Sequence, residues 1–245
     1  MGLPIPFPSG EEIQRSTGVG YARNLWTPSS FDYDVFEDKF WGDAIRDEYP
    51  AAKLSGSGSP AVTFTEHNTN GYLDLVSGTA NDGYAGQGLG MNFTGDRGVL
   101  LEGIIKLPAD ITYMKWEFGL SDADDDAGAV NVKATPSVTA TDFAVFVFDT
   151  DDDTNIGFVS AIGGDGGKVA TQDIRAAVAG ETLRLAIRVE TDSVSAFING
   201  TQVAGGTHQI QGGNGITPWA FVQARNGSAS RTLQLHKWRA IQPAY

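Results

Sequence analysis

From Leu183 to Val203 the sequence reads as one antiparallel hairpin. Leu183, Leu185, Ile187 and Val189 alternate with Arg184 and Arg188, so one face of an extended segment is apolar and the other charged, as a strand half-buried on a core requires. Ser193 to Ile198 follows, and Asn199-Gly200 directly after it is the strongest short hairpin signal, because both positions accept positive φ. Comparable strand signals recur near 61–66, 71–76, 83–90, 97–107, 112–120, 141–149, 155–162, 217–225 and 230–242, with turn residues between them. Phe143-Ala-Val-Phe-Val-Phe148 is apolar on both faces and predicts a central strand covered on each side, with two packed sheets supplying the cover. Only Thr171 to Val178 suggests a short helical turn. The expected fold class is all-β, a two-sheet antiparallel β-sandwich.

Thirty-one glycines in 245 residues suit many tight turns better than helices, where glycine is costly. There is no cysteine, which removes disulfides, thiolate nucleophiles and Cys-based zinc sites. The formal charge of −13, with 17 scattered basic residues, argues against a nucleic-acid partner. No stretch approaches the roughly 20 apolar residues that span a bilayer, and Met1 to Pro8 shows no signal-peptide pattern, so no membrane partner and a cytoplasmic origin are expected.

Residues 1–35 form a separate segment, with prolines at 4, 6, 8 and 28 and no strand or helix period. Such a stretch favours an extended course and builds no core of its own. Its aromatics Phe7, Tyr21, Trp26 and Phe31 are candidate anchors. The arm either docks on a neighbouring subunit or larger assembly, or folds back on its own domain, residues 36–245.

Three stretches taken together resemble the concanavalin-A-like domains of tailed-bacteriophage virion proteins: Phe36-Glu-Asp-Lys-Phe-Trp-Gly-Asp43, Asn70-Gly-Tyr-Leu-Asp-Leu75, and the hairpin from Leu183 to Val203. The run Ala229 to Trp238 is similar to that family's closing strand. The resemblance covers about Phe36 to Gln242 and implies a jelly roll. It further implies a structural virion role without chemistry, such as a capsid decoration or head-associated protein. The expected partners are then the major capsid protein or other virion subunits, with a homo-oligomer, a trimer above all, assembled in the host cytoplasm. A carbohydrate-binding module on a tail or fibre, and a glycoside hydrolase, remain the alternatives.

Retaining glycosidases need two carboxylates about 5–5.5 Å apart, and the Glu-x-Asp-x-x-Glu strand pattern of laminarinase-like jelly rolls is not found. Glu117 is the only acidic residue amid an aromatic strand, so no catalytic residue is assigned. His67, His208 and His236 lie in no zinc-binding spacing. The acidic loops are Asp122-Ala-Asp-Asp-Asp126 and Asp149 to Asn155. In the second, Asp149, Asp151, Asp153 and Asn155 have the alternation that suits a hard cation such as calcium, although the glycine and distal Glu of an EF-hand are missing. Two solvated hairpin turns are the alternative. For a glycan, Tyr72 and Tyr84 are candidate stacking residues, whereas Trp116, Trp219 and Trp238 fall within strands and are expected in the core.

Overall fold

The computed structural model describes residues 33–40, 49–65, 71–90, 93–123, 128–134, 136–191, 193–211, 213–225 and 229–243. In chain order the first strands are β1 (Tyr33–Asp38), β2 (Lys53–Ser55), β3 (Ala61–Thr65), β4 (Tyr72–Val76), β5 (Tyr84–Gly88), β6 (Phe93–Thr94), β7 (Val99–Lys106), β8 (Met114–Ser121) and β9 (Val130–Val132). They continue as β10 (Ser137–Val138), β11 (Phe143–Asp149), β12 (Asn155–Ala161), β13 (Val169–Ala176), β14 (Thr182–Glu190), β15 (Ser193–Ile198), β16 (Thr201–Ala204), β17 (Gly215–Ala224) and β18 (Thr232–Pro243).

Two eight-stranded antiparallel sheets result. The first runs β16-β15-β14-β7-β18-β4-β3 with β1 also on β18, and the second runs β13-β12-β11-β8-β17-β5-β2 with β6 on β17. Most pairings join strands far apart in sequence, so the two-sheet sandwich is closed by long-range register rather than by hairpins alone. The hairpin at Asn199-Gly200 forms as expected, with φ of 52° and 83° at the turn. Strand β1 reaches into the end of the segment read as an arm, pairing Tyr33 with Pro243 and Val35 with Ile241. The proposed anchors Phe7, Tyr21, Trp26 and Phe31 lie outside the described residues.

The core lies between the sheets. Leu73, Leu75, Leu101, Ile105, Leu185, Ile187 and Trp238 from the first sheet meet Trp116, Phe118, Leu120, Phe146, Phe148 and Phe158 from the second. At the centre, the Phe118 ring rests on Gly103, where an added Cβ would come within 2.2 Å of the ring. Burial of this apolar surface is the main favourable term in folding. All three tryptophans of the described strands, Trp116, Trp219 and Trp238, are fully buried.

Two expectations are corrected. Thr171 to Val178 is not a helical turn: most of it belongs to edge strand β13. A register shift in its pairing with β12 and a positive φ of 53° at Asp173 break the alternation that would have revealed a strand. The second cover on β11 is not one of the two large sheets. Ala144, Phe146 and Phe148 face the inter-sheet core, but Phe143, Val145 and Val147 pack under Ala129, Val130 and Ala140 of the β8–β11 connection.

Beside these layers, the 205–211 loop stitches the sandwich edge. The His208 carbonyl accepts the Val194 N–H (3.0 Å) of the first sheet. Its ring nitrogens meet Ser160 Oγ (3.0 Å) and Thr171 Oγ1 (2.8 Å) of the second. Burial pushes the His208 pKa down to about 4. The ring is therefore neutral in both states above about pH 6.5, while between about 6.5 and about 4 only the unfolded chain takes up the proton. Stability is expected to fall by about 3 kcal/mol as pH drops through that window. Urea unfolding at several pH values should show this slope, and His208→Gln should remove it.

Candidate functional site

Strand β8 sends Trp116, Phe118 and Leu120 into the inter-sheet core. By alternation Lys115, Glu117, Gly119 and Ser121 fall on the outer face of the second sheet. Glu117 is fully buried there. It accepts the backbone N–H of Ala129 (2.7 Å) and of Val130 (3.0 Å) and pairs with Lys115 Nζ at 3.0 Å. Lys115 also donates to the Val130 carbonyl and lies 5.0 Å from the centroid of the Phe221 ring. Burial pushes the Lys115 ammonium below the usual lysine range, with Glu117 pulling it back. With Gly119 and Ser121 following, the strand offers Glu117 no second carboxylate on this face. In this setting Glu117 staples the β8–β11 connection to the sheet.

Register places Asp149, Lys115, Gln223 and Tyr84 in one row across β11, β8, β17 and β5 at the end of this face. The row behind it is Val147, Glu117, Phe221 and Gly86, and the next is Val145, Gly119, Trp219 and Gly88. Trp219 leans over Gly86, which no side chain could replace, since a Cβ there would lie 2.3 Å from the indole. Trp219, Phe221 and Tyr84 form an aromatic run, with centroids 6.0 and 5.5 Å apart, that ends at the half-buried Tyr84.

Just beyond that row, Arg225 closes the end. Its guanidinium grips the fully buried Asp149 with two hydrogen bonds, from Nε (2.9 Å) and from Nη2, and donates to the Asn131 carbonyl (2.8 Å). Asp82 and Asp151 approach it at 3.6 and 3.8 Å. Burial raises the Asp151 carboxyl above its ordinary value; Arg225 opposes that rise, and Asp149 and Asp82 add to it. The Arg225 N–H bonds the Tyr113 carbonyl (2.8 Å), which brings Tyr113 to the same end. Tyr113 is 50% exposed at a φ of 51°, a conformation that costs a bulky residue about 1–3 kcal/mol unless its surroundings impose it. They do: Arg225 holds its carbonyl, and Met114, the next residue, exchanges hydrogen bonds with Thr150 in both directions.

The residues expected to form a cation loop are drawn apart by cationic side chains. Asp149 goes to Arg225, and Asp153 goes to Lys133, which also bonds the Asn155 carbonyl (2.9 Å). The Asn155 side chain donates to Asp173 (3.2 Å). Among the described residues no three His, Asp or Glu side chains gather as metal ligands. In the first acidic loop Asp122 accepts the Thr141 N–H (3.0 Å), and 124–127 lie outside the described residues. His67 also lies outside them, and His236 stacks against Tyr72 at 5.1 Å on the first sheet. Tyr72 and Tyr84 therefore belong to different sheets and do not share a platform. Tyr113, Gln223 and Arg225 were missed in the sequence because each reads there as an ordinary strand or strand-end residue.

No protein-family model and no curated protein matches the sequence. Solved structures with the same fold include a mixed-linkage glucan glycoside hydrolase of family 16 from Bacteroides ovatus. It has TM-score 0.57 and 10% identity, over 84% of this chain and 99% of that one. The β-glucanase of Bacillus licheniformis gives TM-score 0.56 and 12% identity over 84% and 97%. The carbohydrate recognition domain of Emp47p gives 0.59 and 8% over 86% and 95%. The chain thus has the jelly-roll sandwich of concanavalin-A-like lectins and family 16 hydrolases. These neighbours are described as glycan hydrolases and a glycan-recognition domain rather than as virion proteins. The expectation that the chain is a non-enzymatic structural protein is corrected: its fold neighbours include glycan hydrolases.

Removing one partner of a buried ion pair leaves the other charge uncompensated. Lys115→Met should destabilise the protein by about 3–5 kcal/mol, and adding Glu117→Gln should recover part of the loss. Denaturant unfolding of the two variants measures both effects.

Proposed function

We propose that this chain is a carbohydrate-recognising jelly roll that takes a glycan across the end of its second sheet. The reading is carried by two tyrosines, Tyr84 and the exposed Tyr113, brought to that end on either side of Arg225 and its carboxylates. Sugar sites combine an aromatic surface for the apolar face of a pyranose with a few polar groups that fix its hydroxyls. Asp82 and Asp151, each more than half exposed, are such groups. The glycan-handling descriptions of the fold neighbours support the same reading.

Each of Tyr84→Ala and Tyr113→Ala should weaken binding of β-glucan oligosaccharides by about tenfold, the loss of one aromatic stacking contact. Calorimetry with unchanged melting temperature checks this, and full binding by both variants sinks the reading. Release of reducing ends from a bound β-glucan, lost in Asp82→Asn or Asp151→Asn, would make the same end a hydrolytic site.

A virion setting is the finer proposal, resting on the resemblance of residues 36–242 to tailed-phage domains. In that setting residues 1–35 anchor the module to the major capsid protein or to sister subunits of a trimer. Light scattering of the full chain and of a chain lacking residues 1–30 tests it: the full chain should be a trimer and the truncated one a monomer. A monomer in both cases would count against self-assembly through the arm.

A further inference from the structure

The geometry points to a glycan carrying protonated amines, an amino-sugar oligomer, as the ligand class of the Tyr84–Tyr113 end; this rests on the carbohydrate reading above. Acceptors without a strong partner collect at this end. Gln223 is 4% exposed and its Oε1 has no hydrogen-bond partner among the described residues. Its amide orientation is set by Nε2, which donates to the Asp82 carbonyl (3.3 Å) and leaves the oxygen as the free atom. A buried acceptor left unpaired is unfavourable, and a donor that reached it beside Asp82 would relieve that cost.

The carboxylates beside it have the same demand. Asp82 and Asp151 are 55% and 56% exposed; Asp82 accepts the Asn81 side-chain N–H on Oδ2 (2.8 Å), and the two carboxylates meet Arg225 only at 3.6 and 3.8 Å, too long for strong hydrogen bonds. Their remaining lone pairs, on Asp82 Oδ1 and on Asp151, are open to solvent. The nearby cations are withdrawn: Lys115 is fully buried on Glu117, and Arg225 is 8% exposed and committed to Asp149. What a ligand meets is an acidic, acceptor-rich rim at the strand ends that carry Tyr84 and Tyr113. An ammonium group offers three donors and a positive charge to such a rim. An N-acetyl group offers one donor and no charge, and a uronic acid brings the repelled charge.

Calorimetry of the full chain at about pH 6, where the amine is charged, would compare three probes: glucosamine oligomers, their N-acetylated counterparts, and galacturonic acid oligomers. Glucosamine oligomers should bind roughly tenfold more tightly than the N-acetylated ones, with galacturonic oligomers weakest and the preference shrinking as salt rises. Asp82→Asn with Asp151→Asn should abolish the preference, Gln223→Met should reduce it, and Asp165→Asn, at the opposite end of β12, should leave it intact.

Equal affinity for the amine and N-acetyl forms overturns the inference while leaving the carbohydrate reading in place. A preference that survives the Asp82 and Asp151 substitutions also overturns it, by assigning the effect to the protein's general negative charge. Failure of every oligomer to bind overturns the carbohydrate reading itself.

Discussion

Two buried carboxylates on the outer face of the second sheet set the rest of the site. Glu117 and Asp149 are both fully buried, where an uncompensated carboxylate would be strongly unfavourable. Each is compensated by a different device: Glu117 by Lys115 and two backbone N–H groups, Asp149 by a bidentate Arg225. These partners tie separate parts of the chain together. Satisfying Glu117 fixes the segment at 129–130 on the sheet, and satisfying Asp149 fixes Arg225, which in turn holds the Tyr113 carbonyl and the Asn131 carbonyl. Such pairs contribute little net stability relative to apolar replacements, yet they specify one arrangement because every alternative leaves a charge exposed to an apolar surrounding.

The same economy of charge explains why the end of the sheet is acidic although it contains buried cations. Lys115 and Arg225 are spent on the buried carboxylates, so the exposed Asp82 and Asp151 set the local potential. Around them the packing is rigid. The aromatic run from Trp219 to Tyr84 lies over Gly86 on the face of a sheet whose other side is the main core. A platform anchored this way loses little conformational freedom when a ligand stacks on it.

Glucanases and a glycan-recognition domain share this sandwich. In the middle of β8 a carboxylate is present, but the β8–β11 connection lies over it and its oxygens bond backbone N–H groups. The exposed groups lie beyond the buried end row, at Tyr113, Asp82 and Asp151. Fold similarity at 8–12% identity carries the architecture; the distribution of charge on the face is this chain's own.

The sequence by itself determined the local elements. The alternation from Leu183 to Val189, the Asn199-Gly200 turn and the double-faced run at Phe143 to Phe148 each record a strand's burial in residues that are adjacent in the chain. It also placed the tryptophans of the strands among the buried residues. It misread Thr171 to Val178, where a bulge broke the period, and it read Asp149 to Asn155 as one loop able to share a cation. Only the tertiary structure decided that Asp149 turns to Arg225 and Asp153 to Lys133, and that Tyr84, Tyr113, Gln223 and Arg225 meet. These groups come from strands and turns spread over more than half the chain. Their contact follows from strand register, a long-range quantity with no trace in the local pattern of any one segment.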